Sequence, residues 1–266
     1  MRDPEPRLAA YVRGYVGTES RIDFLRERHL PSGDVALIVN FGAPHRVIDA
    51  ADPSRVTEHR GAWITGLHDR YLLTDAVGAR HFMVVRLTPI GAHLFLGLPM
   101  DALTNRSVAL EDLIGPSARR VVAQLQEAST WEARFAICDS IIAQRLEATR
   151  PAPAGVAWAW RQLDHTGGNL AIGRLVSELG WSRKHLIAQF RQRVGLPPKV
   201  LARILRFNGA VRLLERAGGV RWAALAHDCG YYDQAHFIRD FRAFSGSTPG
   251  EFLARRLPDS ASRVRD

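Results

Sequence analysis

The pattern that most constrains the fold of this chain occurs twice, and both copies lie in its C-terminal half. In the first copy, residues 172–195, a short apolar run at helical spacing is followed by Gly180, then Ser182, then a helix with a polar outer side. Glycine suits the end of a helix, where a positive φ is needed, and serine is a favourable N-cap for the helix that follows. A short helix, a tight glycine turn and a second helix with one polar face indicate a helix-turn-helix unit.

The second copy follows fifty residues later, over residues 222–246. Gly230 marks the turn, Asp233 can cap the second helix, and Gly246 comes where that helix should end. Between the copies, residues 198–216 carry an apolar pattern that predicts one long helix. A long helix between two such units would set their separation, and recognition helices held roughly 34 Å apart enter successive major grooves on one face of DNA.

The net charge of the chain divides at the same place. Residues 1–150 hold 18 basic and 18 acidic side chains, whereas residues 151–266 hold 18 and 9, so the whole formal charge of +9 lies in the second part. A basic excess confined to one domain is expected for a protein that binds a polyanion, although a solvated basic face is the alternative. Two prolines and a glycine in residues 149–155 mark a short spacer. We therefore expect two domains, 1–150 and 151–266.

The first domain is predicted to be rich in β-structure, with helices after it. Short β-branched runs separated by Gly, Pro and Asp suggest strands at Asp34–Phe41, His45–Asp49, Ala62–Gly66, Tyr71–Thr74 and Arg80–Leu87. Several short strands at this spacing favour a small barrel or sandwich. Helices are predicted over Ser117–Ala128 and Thr130–Ala148. The fold class is therefore α+β in two domains: a β-rich domain with helices, then an all-α domain with two helix-turn-helix units joined by a long helix.

An apolar stripe runs along the second of these helices, at spacings of 4, 3, 4 and 4. Its members are Trp131, Phe135, Cys138, Ile142 and Leu146. Such a stripe packs on its own domain or pairs with a second copy of the chain.

The C-terminal domain resembles the DNA-binding domain of the AraC/XylS family of transcription regulators. In the second unit the matching residues are Gly230-Tyr231, Asp233, Phe237, Arg239, Phe241-Arg242, Gly246, Thr248-Pro249 and Phe252. In the long linking helix they are Arg206, Ala210 and Leu213-Leu214, and in the first unit Leu175, Gly180, Ser182, Leu186 and Phe190. The resemblance implies recognition of promoter DNA. The chain departs from the family at Val176, Ala188 and Ala235, where Ala, Arg and Ser are frequent.

The N-terminal domain carries weaker motifs. Leu30-Pro31-Ser32-Gly33, Val39-Asn40-Phe41-Gly42 and residues 86–91 resemble a domain found at this position in a subgroup of these regulators. In the family that position holds a sensing or dimerising domain, often a cupin-like barrel.

Polar residues on the outward sides of the two recognition helices are the predicted DNA contacts: Arg183, Lys184, Gln189, Arg191, Gln234, His236, Arg239 and Arg242. Arg239 is the leading candidate because arginine can bond two acceptors of guanine; a phosphate contact or a salt bridge to Asp240 or Asp228 is the alternative. Gln234 and His236 lie near the helix start, where side chains reach base edges, or they are solvated. We expect Arg242 to contact phosphate, which positions the protein without specifying sequence.

In the first recognition helix, Ala188 stands where the family often has an arginine. Either Lys184 and Gln189 make the base contacts that this arginine would make, or the first unit mainly contacts phosphates. We expect Phe190, Phe237, Phe241 and Trp222 to lie in the core.

For the N-terminal domain, Tyr71, His81 and Arg86 are the candidates for lining a small-molecule pocket. Structural polar residues facing inward are an equally good interpretation. Its six histidines are scattered without metal-ligand spacing, so no metal and no cofactor are predicted.

Three functions compete. The leading one is a DNA-binding regulator controlled by a small molecule or by oligomeric state through its first domain, with duplex DNA, an effector, a second copy of the chain and, for an activator, RNA polymerase as partners. The second is a DNA-alkylation-response protein with a catalytic first domain, but that chemistry needs a cysteine cluster and Cys138 stands alone in its domain. The third is a regulator that needs no ligand. No enzyme motif is present, and charged residues and prolines interrupt the most apolar stretch, residues 84–100, so we expect a cytoplasmic, nucleoid-associated protein rather than a membrane one.

Overall fold

The first part of the chain forms a strongly curved antiparallel sheet. The computed structural model describes residues 1–149, 151–216, 221–255 and 263–265. Within these ranges the strands are β1 (Val12–His29), β2 (Val35–Asn40), β3 (His45–Asp49), β4 (Val56–His59), β5 (Ala62–Thr65), β6 (Leu72–Leu87), β7 (Ser107–Ala109) and β8 (Arg263–Arg265). The predicted β-rich, barrel-like domain is confirmed.

Strand β6 is the centre of this sheet. It pairs with β1 along one edge, while on the other edge its first half pairs with β3 and its second half with β2. The sheet then continues from β2 to β5 and β7, and from β3 to β4. The two predicted strands Tyr71–Thr74 and Arg80–Leu87 are thus parts of one long strand, because the polar residues between them continue the pairing with β1.

The sequence pattern did not predict strands β1, β4, β7 and β8 or the helices Pro89–Leu96 and Leu110–Ile114. β1 is rich in charged residues, which do not alternate cleanly with apolar ones, so its sequence lacks the usual signal of a half-buried strand. The helices of this part are α1 (Pro89–Leu96), α2 (Leu110–Ile114), α3 (Ser117–Glu127) and α4 (Trp131–Ala148). Predicted helices Ser117–Ala128 and Thr130–Ala148 correspond to α3 and α4.

The stripe on α4 packs on its own domain. Phe135, Cys138 and Ile142 are buried, and Trp131 and Leu146 are half-buried against the same core. At the buried end of this contact, the Tyr15 hydroxyl donates a 2.5 Å hydrogen bond to Asp139 on α4. The Arg2 guanidinium donates to the same carboxylate at 2.6 Å.

The second part is all helical. Its helices are α5 (Ala154–His165), α6 (Ile172–Leu179), α7 (Arg183–Val194), α8 (Pro198–Arg216), α9 (Trp222–Asp228), α10 (Gln234–Ser245) and α11 (Pro249–Arg255). The two predicted helix-turn-helix units are α6–α7 and α9–α10, and α8 is the predicted long helix. Arg150 of the predicted spacer lies outside the described residues. One continuous hydrophobic core contains residues of both parts, so the division into 1–150 and 151–266 stays a prediction.

A cluster of aromatic residues and histidines lies on the face of the sheet away from the main helical core. His45 and His59 are directly opposite each other on β3 and β4. The His59 ring, 4% exposed, stacks on Trp63 with 4.8 Å between centroids. His45 packs edge-on against Phe82 at 5.1 Å. Burial, and then the neighbouring His45, lower the pKa of His59 to about 4, so this imidazole is neutral in the native protein.

We expect the protein to lose stability as the pH falls from about 6.5, the pKa of histidine in unfolded chains, towards 4. In this window His59 is protonated in the unfolded chain but stays neutral in the folded protein. The stability that the neutral ring contributes is therefore fully present above the window and is lost on acidification. Urea unfolding midpoints measured across this window should fall less in His59→Phe than in the wild type. The exposed His227→Phe is the matched control, and equal pH dependence in all three proteins would contradict the assignment.

Candidate nucleic-acid interface

In the first helix-turn-helix unit, a turn glycine, a helix cap and buried side chains fix the position of α7. Gly180 ends α6 with φ +63°, which only glycine adopts readily. The Ser182 hydroxyl then accepts a 3.1 Å hydrogen bond from the backbone N–H of His185 and caps α7. Leu186 and Phe190 on α7 are fully buried. These contacts leave the opposite side of α7 facing solvent.

The predicted contacts on α7 occupy that open side to different degrees. Arg183, Lys184 and Arg191 are exposed. Gln189 is half-buried, and its side-chain oxygen accepts a 2.9 Å hydrogen bond from the Arg193 guanidinium. Its amide is therefore partly engaged within the helix, whereas the three cations are open to a ligand.

The second unit repeats the construction. Gly230 has φ +75°, and a Cβ there would collide with the side chain of Asn169. The Asp233 carboxylate accepts a 2.6 Å hydrogen bond from the backbone N–H of His236, which starts α10. Phe237 and Phe241 are fully buried. Gly230, Asp233, Phe237 and Phe241 take their expected places, whereas Trp222, predicted to lie in the core, is half-buried against it.

On α10, Gln234, Arg239 and Arg242 are exposed. His236 is half-buried: its Nε2 lies 3.8 Å from the Asp240 carboxylate, and its ring meets Tyr231 edge-on at 5.2 Å. His236 is therefore turned towards its own domain more than the other three predicted contacts are.

Asp240 orients α10 against the long helix α8. Its carboxylate is buried and accepts hydrogen bonds from both Nε and Nη2 of Arg203, the shortest at 2.7 Å. The salt bridge considered for Arg239 is thus formed by Arg203 instead. Among the described residues no ion pair engages Arg239, so its guanidinium is available to a ligand.

The predicted contacts do not include the exposed aromatic residue Tyr232. Tyr232 lies just before the cap of α10 and is 93% exposed. The neighbouring Tyr231 is 3% exposed, with its ring edge-on to Phe237. The two consecutive tyrosines could have predicted this exposure, because only one of two adjacent side chains at a helix start can face the core. An exposed tyrosine beside Gln234 extends the candidate interface.

The three pocket candidates in the first domain do not come together. Tyr71 borders a cavity of about 240 Å³ that is also lined by Asp49, His68, Arg70, Asn105 and Arg106. The His81 imidazole is 3.0 Å from the Arg134 guanidinium on α4, and Arg86 lies 3.6 Å from Asp34. His81 and Arg86 are five residues apart on one strand and so point to opposite faces.

The alternative chemistry of alkyl transfer needs a reactive cysteine. Cys138 is buried, and burial raises the pKa of its thiol to about 12; Cys229 is also buried, with a pKa raised to about 11. Thiolate is the nucleophile, so both side chains are unreactive at neutral pH. In the part of the chain that the structure describes, no three His, Cys, Asp or Glu side chains are grouped as metal ligands would be.

Family models match a segment in each part of the chain. Residues 175–255 match the helix-turn-helix domain family, and residues 1–109 match a domain of unknown function (DUF6597). An uncharacterized HTH-type transcriptional regulator of Bacillus subtilis (strain 168), YbfI, is 34% identical over 73 residues. Residues 175–255 therefore carry a helix-turn-helix domain of the kind found in AraC-type transcription regulators. The matched region is 27% of this chain and 26% of that relative, so the chain spans about a quarter of the relative it matches.

The chain is also distantly similar to solved structures. ToxT from Vibrio cholerae O395 is 13% identical, with 90% of this chain and 97% of that chain covered and a TM-score of 0.48. The AraC-like transcriptional activator CuxR is 15% identical, with 79% and 88% covered and a TM-score of 0.28. Separately, every helix in the described ranges is too short or too polar to cross a bilayer.

Breaking the Arg203–Asp240 pair should destabilise the C-terminal part. Arg203→Met leaves the buried Asp240 carboxylate uncompensated, which we expect to lower the free energy of unfolding by about 2–4 kcal/mol. Adding Asp240→Leu should restore most of that loss because it removes the buried charge. Urea unfolding checks both variants. Arg174→Met, which breaks an exposed pair with Glu178, should cost less than about 1 kcal/mol, and a similar cost at both sites would contradict the argument.

Proposed function

We propose that this protein is a sequence-specific DNA-binding transcription regulator whose first domain controls how the second meets DNA. The observation that carries the proposal is the pair of capped recognition helices, α7 and α10, each with a buried apolar side and an open polar side. The basic excess of the chain lies wholly in residues 151–266, around these helices. Cations attract the phosphate backbone, and polar side chains on a helix in the major groove contact base edges.

Helix α10 would carry most of the base recognition. Arg239 is exposed and without an acidic partner among the described residues, so it can bond guanine through two acceptors. Gln234 can do the same for adenine. His236 contributes less in our proposal, because its ring is turned towards Asp240. Arg242 would contact phosphate.

Helix α7 would mainly position the protein. Its exposed side presents Arg183, Lys184 and Arg191, which suit phosphate contacts, while Ala188 offers no hydrogen bond to a base. Gln189 can still recognise a base if it exchanges its bond with Arg193 for one to DNA. The first unit therefore adds affinity and register, and the second adds discrimination.

The first domain would provide control. The cavity beside Tyr71, with the arginines Arg70 and Arg106 in its wall, is our candidate for an effector site in this domain. A second copy of the chain and RNA polymerase are further partners that such a regulator would engage on chromosomal promoters in the cytoplasm. A regulator that needs no ligand is the second candidate.

Arg239→Ala and Arg242→Ala should affect DNA binding in different ways. With a site selected from random duplex DNA, Arg239→Ala should lose about 1–3 kcal/mol on the preferred base pair and relax specificity at that one position. Arg242→Ala should weaken binding to all sequences alike and reduce the slope of log K against log salt by about 1. Fluorescence anisotropy over a salt series measures both effects.

Two results would count against these roles. Equal weakening of Arg239→Ala on every DNA sequence would exclude base recognition by that side chain. A wild-type affinity that does not fall with salt would overturn the DNA assignment itself, because phosphate contacts release counterions.

An effector in the cavity should stabilise the full chain against heat by mass action, by about 2.7 kcal/mol at a concentration of 100 Kd. A thermal-shift screen of small metabolites should therefore give a hit whose effect is lost in Arg106→Gln. Arg60→Gln, an exposed arginine outside the cavity, should keep it. A hit that survives in both variants binds elsewhere, and a screen without hits favours the regulator that needs no ligand.

A further inference from the structure

Both recognition helices have their C-terminal ends in contact with the first domain. Each begins at an exposed cap, Ser182 for α7 and Asp233 for α10. We infer that the first domain sets the angle between the recognition helices by holding both of their C-terminal ends, with Thr104 and Arg28 as the positioning residues. This inference rests on the proposed function and adds a structural means of control to it.

The contact at the end of α7 is made by Thr104. Its hydroxyl donates a 2.6 Å hydrogen bond to the carbonyl oxygen of Gly195, the residue that ends α7. Gly195 has φ +101°, and a Cβ there would lie 3.1 Å from the carbonyl oxygen of Met100. The neighbouring Val194 and Leu196 are buried. The end of the first recognition helix is thus packed tightly on the turn that holds Thr104.

The contact at the end of α10 is made by Arg28 on β1. Its guanidinium donates a 2.7 Å hydrogen bond to the carbonyl oxygen of Ser245, the last residue of α10. The same guanidinium lies over the Tyr71 ring, 4.4 Å from its centroid. Gly246 follows with φ +71°, and the Tyr71 ring occupies the space that a Cβ would need there. A cation at the negative end of a helix is also favoured by the helix dipole.

The helix between the two units is held by the same domain. The Asn208 amide on α8 donates a 2.8 Å hydrogen bond to the carbonyl oxygen of Pro31, and Leu205 packs against Gly33. In addition, the Arg13 guanidinium donates a 2.5 Å hydrogen bond to Asp164 on α5. The first domain therefore contacts the linking helix and both recognition helices, and can fix their relative positions.

Small rotations at these ends matter for DNA. A helix of 12 residues, the length of α7 and of α10, is about 18 Å long at 1.5 Å per residue. A swing of about 10° around its C-terminal end moves its N-terminal tip by about 3 Å, close to the 3.4 Å spacing of successive base pairs. Because the N-terminal halves carry Arg183, Lys184 and Gln234, loosening either end would change which spacing of half-sites the protein accepts.

The position of Tyr71 connects this arrangement to the cavity. Tyr71 forms part of the cavity wall and also supports the guanidinium that holds α10. A molecule that moves this ring would act on the second recognition helix without contacting it.

The test uses the full chain and compares the wild type with the double variant Thr104→Val/Arg28→Gln. DNA sites selected by the wild type are rebuilt with one base pair added or removed between the two half-sites, and affinities are measured by fluorescence anisotropy. We expect the wild type to lose about tenfold or more for each such change, as for one mismatched base pair. The double variant should show a much flatter dependence on spacing, with the largest loss at the preferred spacing.

Matched controls come from the same domain. Thr65→Val/Arg21→Gln removes a threonine hydroxyl bonded to Ser107 and an exposed arginine of β1, away from either helix end, and should keep the wild-type profile. A double variant with the wild-type profile, or with one uniform loss at every spacing, overturns the inference alone. A wild type that enriches no duplex sequence overturns the proposed function, and this inference with it.

A second measurement needs no DNA. Spin labels on Ala188→Cys and Ala243→Cys, both exposed positions on the two recognition helices, report the distance between them by pulsed electron resonance; native Cys138 and Cys229 are buried. The wild-type background should give one narrow distribution, and Thr104→Val/Arg28→Gln a broader one. Equal widths at equal thermal stability would also overturn the inference.

Discussion

The ends of α-helices leave backbone groups without partners, and this constraint governs how the recognition helices of this protein are placed. At their starts, Ser182 and Asp233 accept hydrogen bonds from backbone N–H groups of their own helices. At their finishes, carbonyl groups are bonded by Thr104 and Arg28 of the first domain. Each recognition helix is thus capped within its own unit at its N-terminal end, whereas its C-terminal end is bonded by the first domain.

This asymmetry connects fold and function. The side of each helix that would enter a groove is supported by its own unit: buried phenylalanines, glycine turns and, for α10, the Arg203–Asp240 pair. The orientation of one unit relative to the other depends on long-range contacts with the β-rich domain. A regulator built in this way can keep its chemistry of base recognition while its geometry is adjusted from a distance.

Local chemistry explains which predictions succeeded. Turn glycines, caps and apolar spacing act over a few residues, so the helices from Ile172 to Ser245 could be placed from sequence within a residue or two. Strand β1 could not be placed from sequence, because some of its charged side chains are paired with residues distant in the chain. Arg26, for example, donates a hydrogen bond to Asp75. Most of the predicted interface residues are exposed, but Gln189 and His236 are half-buried. Each of these two side chains contacts a neighbour on its own helix, Arg193 and Asp240 respectively.

The sequence by itself determined that two capped helix-turn-helix units sit on either side of one long helix, and that all the excess positive charge accompanies them. Both properties follow from residue type and spacing along a helix. Only the tertiary structure decided that Asp240 pairs with Arg203 and leaves Arg239 open, that His81 and Arg86 face apart, and that Thr104 and Arg28 hold the helix ends. Arg203 and Asp240 are 37 residues apart in the chain and Arg28 and Ser245 are 217 apart, so only the packing of the folded chain brings their side chains together.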